Sequence, residues 1–277
     1  MSTTSAPPLG LRLRRARTNY AALCAIVAAH LLALASLAQP IEVSYLILAT
    51  GIYVWGMLGV TLYLHRSLAH RALTLAEPLK FALALGVAVC LAGDPAGWVA
   101  IHRKHHGSAD TDDDVHSPRH GIGHSYFGWM LKLTRETADE LLRLSRDVQE
   151  TWYCRWMQHP AIYLMPHAAA VAAVGWYLGP GGVLWGLYVP IVLAFHSVNA
   201  VNSVCHLPRF GYRRHETADD SRNVPWLSFL TFGESFHNNH HAHPHTARQG
   251  DAWYEPDLTA YVIWVLEKLR LARNVVR

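Results

Sequence analysis

The chain has 277 residues, 51% of them hydrophobic and only 16% charged, which is too apolar for an ordinary soluble protein of this size. Its formal charge of +4 comes from dispersed basic residues, which suits an anionic membrane surface and calls for no nucleic-acid partner. Four cysteines without CxxC spacing imply neither a disulfide framework nor an iron–sulfur cluster.

In chain order, residues 1–19 give a polar, Pro-containing start, predicted to be disordered, and then Arg12, Arg14, Arg15 and Arg17. Apolar runs at 20–38 and 44–64 form a first hairpin turning at QPIEVS. The run at 81–93 is fenced by Lys80 and Asp94. It would cover about 20 Å of a roughly 30 Å core, so it reads as re-entrant or interfacial. Runs at 161–179 and 183–205 form a second hairpin turning at GPGG. The polar regions 102–160 and 206–277 carry most of the charge and are predicted to fold together as a cap. Within it, 126–156 and 258–271 each read as a helix lying along the interface. Basic residues ahead of the first run, against none in either short turn, predict that both termini and the cap are cytoplasmic. The predicted fold is therefore a single all-α, multi-pass membrane domain over 1–277, with four transmembrane helices in two hairpins (20–64 and 161–205) and a cytoplasmic helical cap.

Three histidine clusters punctuate this plan: HRSLAH from His65 to His70, HRKHH from His102 to His106, and HNNHH from His237 to His241. Spacing i, i+4 puts two imidazoles on one helical face, the arrangement of a metal site. With His206, four residues after Asn202, the count reaches nine. That exceeds what one tetrahedral or octahedral ion takes, so a dinuclear site with open positions is expected. A regular helix would set His65 and His70 about 140° apart. The pair is therefore expected to serve different ions unless the helix ends between them.

At these boxes the chain closely resembles the membrane fatty-acid desaturases, a di-iron family that includes the stearoyl-CoA type. The likeness extends to GDPAGWVAIHRKHH, DTDDDVHSP, HSYFGWM from His124, ETADDSRN from Glu216 and GESFHNNHHAHPHTARQG from Gly233. The resemblance implies His65, His70, His102, His105, His106, His206, His237, His240 and His241 as iron ligands. It implies Asn202 as the holder of a metal-bound water. His243 departs from the family, where an aromatic residue is common, and it and His245 are expected outside the ligand set. Asp110, Asp112, Asp113 and Asp114 are expected to form a solvated acidic turn accepting hydrogen bonds from ligand histidines.

The implied activity is an oxygen-dependent insertion of a cis double bond, of delta-9 type, into a saturated acyl chain carried on CoA or lipid. Two iron ions and O2 would supply the chemistry, since no side chain oxidises a methylene pair and zinc cannot change redox state. No haem-binding domain is evident in the sequence, so electrons would come from a separate ferredoxin or b-type cytochrome. The tail motif looks bacterial, placing the protein in a bacterial cytoplasmic membrane. Candidate substrate contacts are Tyr53, Trp55, Met57 and Thr61 on the helix entering the first box, Trp98 before the second, and Arg209 and Arg222 for an anionic carrier. A membrane hydroxylase would share the boxes. A metal transporter would instead need ligands part-way through its spans.

Overall fold

The computed structural model describes residues 7–277. The expected disorder of the first six residues, and the side chains of Arg14 and Arg15, lie outside the described part. The basic start forms a short helix, α1 (Leu9–Arg15). Its Leu9 and Leu13, one turn apart, are buried against Ala100, Val115, Trp129 and Leu141, so this segment docks onto the cap.

Among the described residues, three helical stretches are long and apolar enough to cross a membrane: Tyr20–Ala38, Val43–Ala69 and Pro160–Val204. The first is α2 (Tyr20–Ala35) plus a tight final turn, started by the Asn19 side chain accepting from the Ala22 N–H at 3.2 Å. No residue of α2 is buried in the protein, as expected of a helix whose apolar sides meet lipid. The second is α3 (Val43–Leu58), continued by a π-helical stretch over Gly59–Ala69. After β1 (Thr74–Leu75) comes α4 (Glu77–Val89), whose 13 residues make it too short to cross and which packs on α3 and α9 (Pro160–Val183).

The cap begins with α5 (Pro95–Ser108), started by Asp94 accepting from the Gly97 N–H at 2.8 Å, with Pro95 at the first helical position. The single interface-lying helix expected over 126–156 is not formed. In its place stand short turns followed by α6 (Arg135–Leu142), α7 (Arg146–Gln149) and α8 (Trp152–Trp156). Thr134 starts a new helix through a capping box with Thr137, and Thr151 is extended, so the helical path is restarted each time.

The third apolar stretch would be about 67 Å long if straight. It is broken at Gly179, whose φ of 66° and ψ of −170° lie outside helical space, within the turn expected there. Beyond it the chain returns to α10 (Val189–Val204). The last segment adds α11 (His237–Ala242), α12 (Leu258–Lys268) and β2 (Ala272–Arg273), which pairs antiparallel with β1. Its Thr74↔Arg273 register ties the C-terminal end to the chain just past the first histidine box.

Candidate metal centre

The nine histidines converge as two groups in which every potential ligand atom lies within 4.8 Å of the others. One group is His65, His70, His102, His106 and His240, and the other is His105, His206, His237 and His241. The sorting follows helix geometry. In HRKHH on α5, the i, i+4 pair His102 and His106 joins the first group while His105 turns to the second. In HNNHH on α11, His237 and His241 join the second while His240 crosses to the first. Each helix thus serves both centres.

His65 and His70 share one group, with ring centroids 4.8 Å apart; of the two expected arrangements, separate ions or a helix ending between them, the first is not formed, and the helical stretch ends at Ala69 with His70 as its cap. The cause is the π-helical stretch, whose wider turn closes with a His70 N–H to His65 carbonyl bond of 3.1 Å. Bonding i→i+5 turns these two residues toward one face, where an α-helix would set them about 140° apart.

The ring nitrogens show what such a cluster needs. Asp114 takes a hydrogen bond from His105 Nδ1 at 3.0 Å, Asp110 from His206 Nδ1 at 2.8 Å, and Asp219 from His241 Nδ1 at 2.8 Å. Glu234 pairs with His65 Nδ1. A neutral imidazole with its proton at Nδ1 has only a lone pair at Nε2. Those lone pairs point at one another, as between His105 and His241 at 3.3 Å, or meet nothing, as at the buried Nε2 of His206. A cation at each centre would relieve this repulsion, so the donor set fits a metal pair.

Burial first, then neighbouring imidazoles, hold His70, His102, His106, His237 and His240 well below the ordinary histidine pKa. His241 is lowered by burial to about 4, partly offset by Asp219. At His105 burial also acts downward, but Asp114 overrides it and raises the pKa. The carboxyls of Asp110, Asp114, Asp219 and Glu234 all sit below their usual range because the imidazoles outweigh their burial. Six of the nine imidazoles are thus held toward the neutral form, and carboxylates stand behind His65, His105, His206 and His241, as metal binding requires.

The acidic turn differs from its expected solvated form. Asp110 and Asp114 are buried and take the hydrogen bonds from His206 and His105, whereas Asp113 pairs with Lys104 and the Leu9 N–H. Asp112 stays exposed. Asp219 lies in ETADDSRN and Glu234 in GESFHNN, and the spacing of neither motif marks them as partners of His241 and His65. Glu234 also binds Arg66, which is fully buried between it and Asp257 at 3.0 and 2.8 Å. The two asparagines of HNNHH face the scaffold: Asn239 donates to the Gln249 carbonyl and Glu255, and Asn238 holds the Arg214 and His215 N–H groups. They lock the orientation of α11. His116 stacks on His105 with centroids 4.3 Å apart. His243 and His245 belong to neither group.

Two cavities reach the centre. A small one of about 40 Å³ is lined by Met57, Thr61, His65, Trp98, His102, His105, Asn202 and His237, among others. A large one of about 580 Å³ starts at Trp98, His102 and Asn202 and runs between α2 and α10. Trp98 lines both and stacks on His102 at 5.0 Å. Tyr53 and Trp55 line neither. The Tyr53 hydroxyl is tied to Ser197 and the Leu230 carbonyl, and the Trp55 indole donates to the Ala82 carbonyl of α4, so both pack between elements. Arg209 and Arg222 also line neither cavity; Arg209 is exposed, with its guanidinium 4.9 Å above the Phe210 ring.

A family model for fatty acid desaturases matches residues 43–273. The chain is 36% identical over 232 residues to delta-9 acyl-lipid desaturase 1 of Arabidopsis thaliana, covering 81% of this chain and 72% of that one. It is 36% identical over 224 residues to sn-1 stearoyl-lipid 9-desaturase of Synechocystis sp., covering 80% and 68%. With the chloroplastic palmitoyl-monogalactosyldiacylglycerol delta-7 desaturase of Arabidopsis thaliana it shares 37% over 264 residues, covering 93% and 68%. By these matches and its histidine boxes, the chain belongs to the fatty acid desaturase family.

Proposed function

We propose that this desaturase inserts a cis delta-9 double bond into a saturated acyl chain esterified in a membrane lipid, using two iron ions, O2 and electrons from a ferredoxin or a b-type cytochrome. Lipid-borne substrates are favoured by the relatives, whose names specify acyl-lipid, stearoyl-lipid and galactolipid desaturases. The observation that carries the metal assignment is the convergence of nine imidazoles, four of which direct Nδ1 at a carboxylate: Asp110, Asp114 and Glu234, which are buried, and Asp219, which is half-buried. Five imidazoles in one group exceed the four of a structural zinc site, which favours a redox metal. His65, His70, His102, His106 and His240 would hold one iron; His105, His206, His237 and His241 the other, with Asn202 holding water beside them.

When bound, the iron pair supplies oxygen activation and removal of hydrogen from the methylene pair. The protein's own part is to hold and shield. Trp98, stacked on His102 where the two cavities meet, would press one carbon pair toward the ligands. Apolar walls on α2, α3 and α10 would exclude water along the rest of the chain. The four crossings pair as 20–64 and 161–205, with the metal site and both termini at the cytoplasmic face of a bacterial membrane.

Purified protein made with adequate iron is expected to hold close to two iron atoms. His206→Ala and His240→Ala are each expected to lower that content and abolish desaturation in a host lacking unsaturated fatty acids. Wild-type metal content in both variants would overturn the assignment, and hydroxylated lipid as the main product would favour the hydroxylase reading.

A further inference from the structure

We infer that the cap surface over His70 is the docking site for a small acidic one-electron carrier protein, with His245 as its contact to the metal side. The inference rests on the desaturase reading, because each turnover needs reducing equivalents from outside. One double bond forms as two C–H bonds break and O2 becomes two waters, consuming two protons and two electrons, one from each of two reduced carriers.

The surface is built by the C-terminal segment, stitched between two histidine boxes. Val276 N–H bonds the Ala72 carbonyl at 2.9 Å, Ala247 N–H bonds the Val276 carbonyl at 2.8 Å, and Arg273 pairs in register with Thr74. This brings Arg71, Arg248, Lys268, Arg270, Arg273 and Arg277, all exposed, to one region. Facing acids are few: Asp147 pairs with Arg71, and Glu267 with Arg277. Among the described residues, Arg248, Arg270 and Arg273 have no carboxylate partner, so the strip keeps a positive excess. That excess would steer an acidic partner.

What selects this face is its link inward. His245 is exposed, yet its Nδ1 donates to the His70 backbone carbonyl at 3.2 Å, with the two rings 6.5 Å apart. His70 belongs to the five-histidine group. One side chain therefore joins the basic strip to a metal-binding residue. The nearby α12 also exposes Tyr261, Trp264 and Val265, so anionic lipid headgroups are the other chemistry such cations attract. Lipid binding alone would have no use for the His245 contact.

The test uses the full-length metal-loaded protein in phosphatidylcholine nanodiscs and a plant-type [2Fe–2S] ferredoxin as probe. The Arg248→Glu/Arg273→Glu variant is expected to bind oxidised ferredoxin about tenfold or more weakly at low salt, with a flatter salt dependence. Its iron content, and its single-turnover yield after reduction with dithionite, are expected to stay at wild-type values. His245→Leu is expected to keep affinity and iron while slowing oxidation of bound, reduced ferredoxin several-fold. Unchanged ferredoxin affinity in the double variant, or loss confined to phosphatidylglycerol vesicles, would overturn the docking site. Unchanged ferredoxin oxidation in His245→Leu would overturn the contact. Failure of the wild type to desaturate after dithionite reduction would count against the desaturase reading and leave the binding result standing.

Discussion

Which nitrogen of an imidazole carries the proton decides which one is free for a metal, and here four carboxylates, buried Asp110, Asp114 and Glu234 and half-buried Asp219, make that choice. Asp110 and Asp219 each hold a ligand histidine through Nδ1, at 2.8 Å in both cases. Removing such a partner frees the ring to rotate and change tautomer. Asp110→Ala and Asp219→Ala are expected to weaken metal binding about 10- to 100-fold, with Asn at either position restoring part of it. Chelator competition reads this directly. Protons compete for the same atoms. Because His102, His106, His237 and His240 have lowered pKa values in the metal-free fold, the unfolded chain binds protons below about pH 6.5 that the folded chain refuses. Stability of the metal-free protein is therefore expected to fall as pH drops from 7.5 to 5, by up to about 1.4 kcal/mol per unit for each such imidazole. The lowered carboxyls add nothing in that window, since they lose their contribution only below their ordinary range. A melting temperature in detergent that stays flat over this interval would contradict the argument. The nine clustered histidines are legible in the sequence because box spacing is a local property. Asp219 and Glu234 are not, because each reaches its histidine only through the tertiary fold, 22 and 169 residues away by number (241 − 219 and 234 − 65).

At the scale of elements, hydropathy alone places the apolar runs, because a bilayer imposes length and polarity on any crossing helix. The expected runs at 20–38 and 44–64 differ from Tyr20–Ala38 and Val43–Ala69 mainly in where the second ends. That end is where sequence reading fails: the π-helical stretch over Gly59–Ala69 has no residue signature that distinguishes it from an α-helix, yet it decides that His65 and His70 meet. Likewise 126–156 carries helical spacing throughout, and only the capping bonds of Thr134 reveal its division. The π stretch is held from outside by a close approach. A Cβ on Gly59 would lie 2.8 Å from Val87 Cγ2 and 3.0 Å from the Leu83 carbonyl of α4. Gly59→Leu is expected to push α4 away, cost about 1–3 kcal/mol, and shift the first box enough to lower occupancy of the five-histidine centre before the four-histidine one. Metal titration followed by spectroscopy of the partly loaded variant separates the two centres. Equal loss from both would mean that Gly59 supports the whole helix pair and not the widened turn.

Over the whole molecule, the cavity system ties the cap to the spans. Its large arm leaves the metal centre at Trp98 and Asn202 and continues past α10 to α2, where Ala22, Ala25 and Ala29 leave room by having almost no side chain. On this geometry the length of chain accepted would be governed by the wall on α2; the polar atoms of Tyr53 and Trp55 are spent on contacts with Ser197, Leu230 and Ala82. A phenyl group at Ala29 would fill space equivalent to several methylenes, since one helical turn of 5.4 Å spans roughly four of them. Each methylene that no longer fits costs about 1–3 kcal/mol in discrimination. Ala29→Phe is therefore expected to lower the ratio of 18-carbon to 16-carbon products at least about tenfold while leaving iron content unchanged. Tyr53→Ala and Trp55→Ala are expected to leave that ratio alone and to lower thermal stability through lost packing. The lipid profile of a host supplied with both saturated chains gives the answer. The reverse pattern, with Ala29→Phe silent and Trp55→Ala accepting longer chains, would put the end of the chain against α3 and α4 and make the space beside α2 a lipid-filled groove.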